Sequence, residues 1–380
     1  MFDNYFNKIF KNSDLLTLSS SSAFGYAIFG LFWFFLAKFL GPDEYGEISY
    51  FFAVGIISVS LSTAGLQSGI TVFSSKDPKI LNSFLSLGLI ITIIASSICF
   101  ILFSRIEISL FIIGSSLFGI YIYSILGKKQ FQKFSILLIL QKTLSVISAL
   151  ILYYFIGLEG IIFGFAISYF LLSKGMYDLI FKRNFNLSQI KPKTKFLLNN
   201  HISESTHNLV WWSDRFILLP LYGFTFLGNY QLGMYILLML SLIPTIFYQY
   251  MLPYDSTGNG KNKIRLLSIL ISTCVAIFSF IAGPTVIESL FPQYTDTTNL
   301  IQIFSLTLIP ISINLVFSSY FLGRKKTKII AIGNSLLLAI QLILIFIFGE
   351  FYGSEILPFA IFIAFICQSI FFGMMKILNK

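Results

Sequence analysis

Apolar stretches take up nearly the whole chain and leave only short connections between them. Twelve mostly apolar segments can be marked, near 16–40, 48–74, 80–103, 106–126, 134–156, 158–181, 197–222, 228–253, 263–290, 298–322, 327–349 and 351–377. Each offers the roughly 20 residues that a helix needs to cross a hydrocarbon core of about 30 Å. Of the 380 residues, 56% are hydrophobic and only 11% charged, against about 25% charged in soluble domains. No connection exceeds about 15 residues, which leaves no room for a soluble catalytic domain. The pattern predicts an all-α polytopic membrane protein with twelve transmembrane helices.

The net charge of +10 would suggest nucleic acid in a soluble chain, but the positions of the basic residues assign it to membrane orientation instead. One side of the membrane receives Lys8 and Lys11, Lys76 and Lys79, Lys128, Lys129 and Lys133, then Lys182 and Arg183. It also receives Lys191, Lys193, Lys195, Lys261, Lys263, Arg265, Arg324 to Lys326, Lys328, Lys376 and Lys380. The opposite loops hold Asp43, Glu44, Glu47, Glu107, Glu159, Asp296, Glu350 and Glu355. This alternation predicts a cell-membrane protein with both termini cytoplasmic. The reading divides the chain into an interfacial N-terminal segment (1–15), a six-helix bundle (16–181), a basic cytoplasmic linker (182–196) and a second six-helix bundle (197–380). Cys99, Cys274 and Cys367 lie in apolar spans without neighbouring ligands, so no metal, cofactor or disulfide is expected.

The two halves repeat. FLGPDEYGEISYFF (39–52) follows the first span and LYGFTFLGNYQLGM (221–234) the seventh; Gly41 and Gly46 match Gly223 and Gly228. Gly127-Lys128-Lys129 matches Gly323-Arg324-Lys325. With an even number of spans in each half, the bundles are expected to be parallel repeats about a pseudo-two-fold along the membrane normal. A substrate path is then expected at their interface.

Ionisable residues inside spans are costly and mark candidate sites. The seventh span carries His201, Glu204, His207, Asp214 and Arg215. If it is one helix, Asn200, Glu204, His207, Trp211 and Asp214 share a face. Glu204 and His207 form a candidate proton-responsive pair, and Asp214 joins them as a candidate coupling residue. Asp214 and Arg215, being adjacent, should point about 100° apart on a helix and not neutralise each other. Arg215 is then available for bidentate phosphate binding or for a neighbouring carboxylate. Lys142 lies about 12 Å into the fifth span, accompanied by Gln141, Ser145 and Ser148. Gly65 and Gly69 in GLQSG form a close-packing pair, and Gln67 between them offers an amide.

The stretch AKFLGPDEYGEISYFFAVGIISVSLSTAGLQSGITVFSSKD (37–77) resembles the start of the polysaccharide-export, O-antigen (Wzx-type) flippases, within the multidrug/oligosaccharidyl-lipid/polysaccharide exporter superfamily. Trp212–Arg215 before an LG-x-Y-like turn, the MLPY ending of the eighth span and the FPQY segment are further points of likeness. The resemblance implies transfer of a lipid-linked oligosaccharide, on a polyprenyl phosphate or diphosphate, through a central polar cavity. Its partners would be that lipid, the bilayer and a coupling proton or sodium ion, with the protein a monomer that binds no nucleic acid. Lys142, Arg215, Gln141, Gln67 and Trp211 are the candidate substrate residues; Asp214, Glu204 and His207 are the candidate coupling residues. An ion-coupled multidrug antiporter of the same superfamily is the alternative. A membrane glycosyltransferase or polymerase is disfavoured, since no DxD pair or large loop exists. A major-facilitator transporter lacks its basic motif here, where SSKDPK stands.

Overall fold

A computed structural model describes residues 13–63, 65–73, 78–173, 175, 190–258 and 260–378. The interfacial segment expected before residue 13 and most of the basic linker lie outside the described residues. What is described is helical, with no strand among those residues. The helices are α1 (Ser13–Thr63), α2 (Leu66–Phe73), α3 (Pro78–Phe103), α4 (Ile106–Gly127), α5 (Phe131–Ile156) and α6 (Glu159–Leu172). They continue as α7 (Thr194–Trp212), α8 (Arg215–Ser256), α9 (Asn262–Leu290), α10 (Thr295–Gly323), α11 (Thr327–Phe351) and α12 (Leu357–Leu378). Among the described residues, nine helical stretches are long and apolar enough to cross a membrane, and Glu159–Leu172 is a shorter apolar helix. The chain is therefore an all-α, multi-pass membrane protein.

Two helices are too long to be single crossings. At 1.5 Å per residue, α1 would measure roughly 76 Å if straight, more than twice a ~30 Å hydrocarbon core. It is split instead at Gly41, whose φ of 77° and ψ of 172° interrupt the helix before Pro42. The rings of Trp33 and Tyr45 lie 5.9 Å apart, although twelve residues of straight helix would separate them by about 18 Å. The chain has turned back on itself. Helix α8 does the same at Gly223 (φ 74°, ψ −177°), which brings the Tyr230 hydroxyl 2.6 Å from Asp214.

Two expected spans are each made of two helices. The second span breaks at Gly65 (φ 80°), so α1 ends at Thr63 and the short α2 starts at Leu66. The seventh, expected as one helix over 197–222, breaks at Ser213–Asp214 between α7 and α8.

The chain forms two compact units whose division does not follow chain order. The first takes residues up to Phe32 together with Phe51–Ser205; the second takes Trp33–Tyr50 and Thr206–Lys380. In the first, Phe29, Phe52, Phe111 and Phe165 interlock with ring centroids 5.5–6.4 Å apart, the separation favoured by tilted aromatic pairs. Helices α5 and α6 cross closely, because a Cβ on Gly160 or Gly164 would overlap the backbone of Leu152 or Ala149. In the second, Leu218, Leu227, Tyr230, Met234, Phe304, Leu308 and Ile345 form a continuous buried cluster.

The internal repeat is written into the backbone. Gly41 and Gly223 share one unusual conformation. Lys129 and Lys325 both have positive φ, 59° and 60°, as do Gly157 and Gly353 at the same spacing. Within the second unit the two matching turns pack on each other as equivalents. A Cβ on Gly46 would overlap the Phe224 carbonyl, and one on Gly228 would overlap the Pro42 carbonyl. Thr225 Oγ1 donates to Asp43 Oδ1 at 2.9 Å, a pair 182 residues apart. That is the repeat offset itself, so this contact joins a residue to its own counterpart.

Such a crossing tolerates no side chain. Gly228→Ala should lower stability by about 1–3 kcal/mol, the usual cost of overpacking. Gly373→Ala, whose Cβ would meet only a Phe317 ring carbon at 4.0 Å, should be neutral. Thermal unfolding in detergent compares them, and equal melting of Gly228→Ala and wild type would refute the close crossing.

Candidate functional site

Helices α1, α2, α4, α5 and α6 of the first unit line a partly open cavity of about 240 Å³. Its polar lining comes from Gln67, Ser115, Tyr123, Gln141, Lys142 and Tyr169, with Phe118, Phe134 and Leu138 supplying apolar wall. Three of the residues singled out from sequence thus meet at one place, although they come from two helices 74 positions apart. Gln67 reaches it from α2, where the lack of a side chain on Gly119 leaves room: a Cβ there would sit 2.9 Å from the Gln67 amide nitrogen.

Lys142 carries the only charge in this lining, and no carboxylate lines the cavity among the described residues. Its ammonium lies 4.2 Å from the centre of the Phe29 ring, a cation–π contact that offsets part of the loss of hydration. Gln141 is held from behind. Its amide donates to Ser145 Oγ at 2.7 Å, Ser145 Oγ donates in turn to Ser168 Oγ at 2.6 Å, and Ser168 donates to the Phe165 carbonyl at 2.7 Å. This relay fixes the amide on the cavity wall and leaves its carbonyl available. Tyr169 and Ser115 line the same wall as Gln141. Sequence reasoning missed Tyr169, Ser115 and Phe29. Their polarity or aromaticity is ordinary for spans, and only the fold brings them beside Lys142.

Glu204 is elsewhere in the same unit, and it is not paired with His207. Its carboxylate accepts the Gly65 N–H at 2.8 Å and the Ser68 hydroxyl. Gly65 stands in the break between α1 and α2, so Glu204 satisfies a backbone donor that the interruption would otherwise orphan. The glycine is required there, since a Cβ would overlap the Leu197 carbonyl of α7. The GLQSG reading as a close contact is thus met at Gly65 and also at Gly69, which packs on Leu197. The side chain of His207 is exposed from the protein, and no hydrogen bond joins it to Glu204 among the described residues.

Asp214 and Arg215 are also not as their adjacency predicts. Both are fully buried in the second unit, with Arg215 Nη1 2.5 Å from Asp214 Oδ1. The 100° separation assumed an unbroken helix. Here the helix ends at Trp212, and Asp214 caps α8 by accepting from the Arg215 backbone N–H at 3.0 Å. Tyr230 donates to the other carboxylate oxygen at 2.6 Å. Arg215 also donates to the Trp211 carbonyl at 2.6 Å and through Nε and Nη2 to Gln231 Oε1 at 2.8 and 2.5 Å. Trp211 itself packs against the apolar cluster of this unit, with its ring 6.0 Å from Phe365. Arg215 is a core group of the second unit and Trp211 packs on its apolar cluster; neither belongs to the residues that line the Lys142 cavity. The partners Tyr230 and Gln231 were legible only as part of the stretch 221–234 that matches 39–52 through its glycines. Among the described residues, no group of three or more potential metal ligands gathers anywhere.

No family model and no curated protein matches the chain by sequence. Solved structures do match by fold. The lipid II flippase MurJ in an inward closed conformation superposes with a TM-score of 0.79 at 16% identity, covering 93% of this chain and 86% of that one. An outward-facing multidrug resistance MATE family transporter of the MOP superfamily gives 0.65 at 16% identity, covering 96% and 95%. A MOP superfamily transporter from Pyrococcus furiosus, described as having a binding pocket of reverse polarity, gives 0.62 at 16% identity, covering 96% and 95%. At such low identity these likenesses establish the fold.

Removing one member of a buried ion pair costs about 3–5 kcal/mol, whereas replacing both with apolar groups is often close to neutral. Arg215→Met should therefore be more destabilising than the double variant Asp214→Leu/Arg215→Met. Melting temperatures of the two single variants and the double variant test this. Simple additivity of the single effects would show that the pair is not coupled as described.

Proposed function

We propose that the protein is a membrane transporter that moves a lipid-linked oligosaccharide, carried on a polyprenyl phosphate or diphosphate, from the cytoplasmic to the outer leaflet by alternating access. It would do so as a twelve-crossing protein of the cell membrane with both termini cytoplasmic. The observation that carries this reading is the cavity in the first unit, where Lys142 stands among amides and hydroxyls with no carboxylate in the lining.

The chemistry of such a cargo fits that lining. A phosphate in low dielectric needs a fixed cation and donors. Sugar hydroxyls need exchangeable hydrogen-bond partners, because stripping them of water without replacement is costly. Lys142 answers the first need; Gln67, Gln141, Ser115 and Tyr169 answer the second. Small-molecule sites usually occupy about 300–1,000 Å³. The cavity of about 240 Å³ suits the phosphate and the first sugar, so the rest of the headgroup requires a more open state. The MurJ likeness supports a lipid-bound cargo by analogy of fold.

An ion-coupled multidrug antiporter remains the second reading, favoured by the MATE likenesses. It requires a buried carboxylate able to take a cation or proton. Asp214 is held by Arg215 and Tyr230, and Glu204 by Gly65 and Ser68, so either would first have to release its partners.

Loss of a charged hydrogen bond to phosphate is worth about 1.5–3 kcal/mol, or roughly ten- to a hundredfold in rate or affinity. In proteoliposomes carrying a fluorescent lipid-linked oligosaccharide, Lys142→Ala should slow movement by at least about tenfold, and Lys142→Arg should restore much of it. Transport by Lys142→Ala at the wild-type rate would remove the assignment. Efflux of a cationic dye that is lost in Asp214→Asn would instead establish the antiporter.

A further inference from the structure

The second unit carries a cluster of cations that the proposed transport path does not use. At the end of α10, the Tyr320 ring has the Arg324 guanidinium 3.7 Å from its centre, the Lys376 ammonium at 5.1 Å and the Arg265 guanidinium at 5.8 Å. Lys376 also lies 5.6 Å from the Phe317 ring. Helix α9, the residue that follows α10 and helix α12 thus each bring a cation to one aromatic ring. Beside them Lys261 sits 4.0 Å from the Tyr254 ring and 5.8 Å from that of Tyr250.

One carboxylate is built into this region. Asp255 is buried and is taken by Arg265 and by Ser319 Oγ at 2.5 Å. It anchors Arg265 from beneath, and Gly323 allows the approach, since a Cβ there would crowd Asp255. Among the described residues Arg324 has no ion pair with a carboxylate, and its side chain is exposed. Like charges converging on one ring repel one another, and an anion seated among them would relieve that repulsion.

The surroundings identify the kind of anion. The same helix ends expose large apolar side chains: Leu266, Leu267 and Leu270 beside Arg265, and Met374, Ile377 and Leu378 beside Lys376. Cations bordered by apolar side chains that the protein leaves uncovered, with tyrosines at the same level, match the interface between headgroups and acyl chains. The feature is not a by-product of the internal repeat. At the offset that relates Lys129 to Lys325, the counterpart of Tyr320 is Ser124, which offers no ring on which cations can gather.

We propose that Arg265, Arg324 and Lys376, gathered around Tyr320, form a binding site for the phosphate headgroup of an anionic phospholipid in the leaflet facing the basic loops. Its acyl chains would lie against the exposed leucines of α9 and the exposed residues of α12. Arg324 and Lys376 contact the headgroup, while Arg265, fixed by Asp255, sets the floor.

The test uses the full chain purified from membranes and reconstituted in nanodiscs of phosphatidylglycerol or phosphatidylcholine. Native mass spectrometry of the detergent-solubilised protein should show phosphatidylglycerol retained at least fivefold over phosphatidylcholine, and phosphatidylglycerol nanodiscs should raise the melting temperature. Arg324→Gln/Lys376→Gln, which leaves the Asp255–Arg265 anchor intact, should abolish both effects. Lys325→Gln/Lys328→Gln removes equal charge from neighbouring exposed positions and should leave them in place. Equal lipid retention in the Arg324/Lys376 variant would overturn the site. So would equal loss in the Lys325/Lys328 variant, which would mark a diffuse attraction, or displacement by millimolar inorganic phosphate, which would mark a site for free anion.

Discussion

A backbone N–H or C=O group left without a partner in hydrocarbon costs several kcal/mol, and this chain interrupts its helices repeatedly inside apolar stretches. Much of its polar architecture follows from answering that cost. At Gly65 the freed N–H is taken by Glu204. At the end of α7 the Trp211 carbonyl is taken by Arg215, and at the start of α8 the Arg215 N–H is taken by Asp214. Ionisable residues in these spans are thus placed where the helices stop, and their charge makes each bond stronger than a neutral one. The breaks are specified features, since each has a partner brought from another part of the chain or from across the interruption.

This also explains what could and could not be read from the sequence. The all-helical, many-span character was legible because nothing but helices can use so much apolar chain in lipid. The repeat was legible because its glycines occupy positions where the backbone demands them: Gly41 and Gly223 for conformation, Gly46 and Gly228 for close approach. The breaks at Gly65 and Ser213–Asp214 were not legible. A glycine within an apolar run and the Ser-Asp-Arg step are each compatible with a continuing helix. The separation inferred for Asp214 and Arg215 does not hold, because the two side chains meet at the interruption. Lys142, Gln141 and Gln67 were found because polarity deep in a span is rare whatever the geometry. Tyr169, Ser115 and Phe29 were missed because their types are common there.

The intramembrane charges can then be sorted by whether the protein already answers them. Asp214 and Arg215 cancel within one unit and are enclosed by Tyr230 and Gln231. Glu204 lies at the first turn of α2, where the positive end of the helix dipole favours a carboxylate. Lys142 is different. A cation–π contact is worth about 0.5–2 kcal/mol, short of the several kcal/mol by which removal from bulk water penalises an ion. Phe29 therefore lessens the penalty on the ammonium without cancelling it, and the amides and hydroxyls around it can orient toward either sign of charge. Of the groups lining the cavity, Lys142 alone fixes the sign of the potential there, and a phosphate would complete what the aromatic ring leaves unfinished.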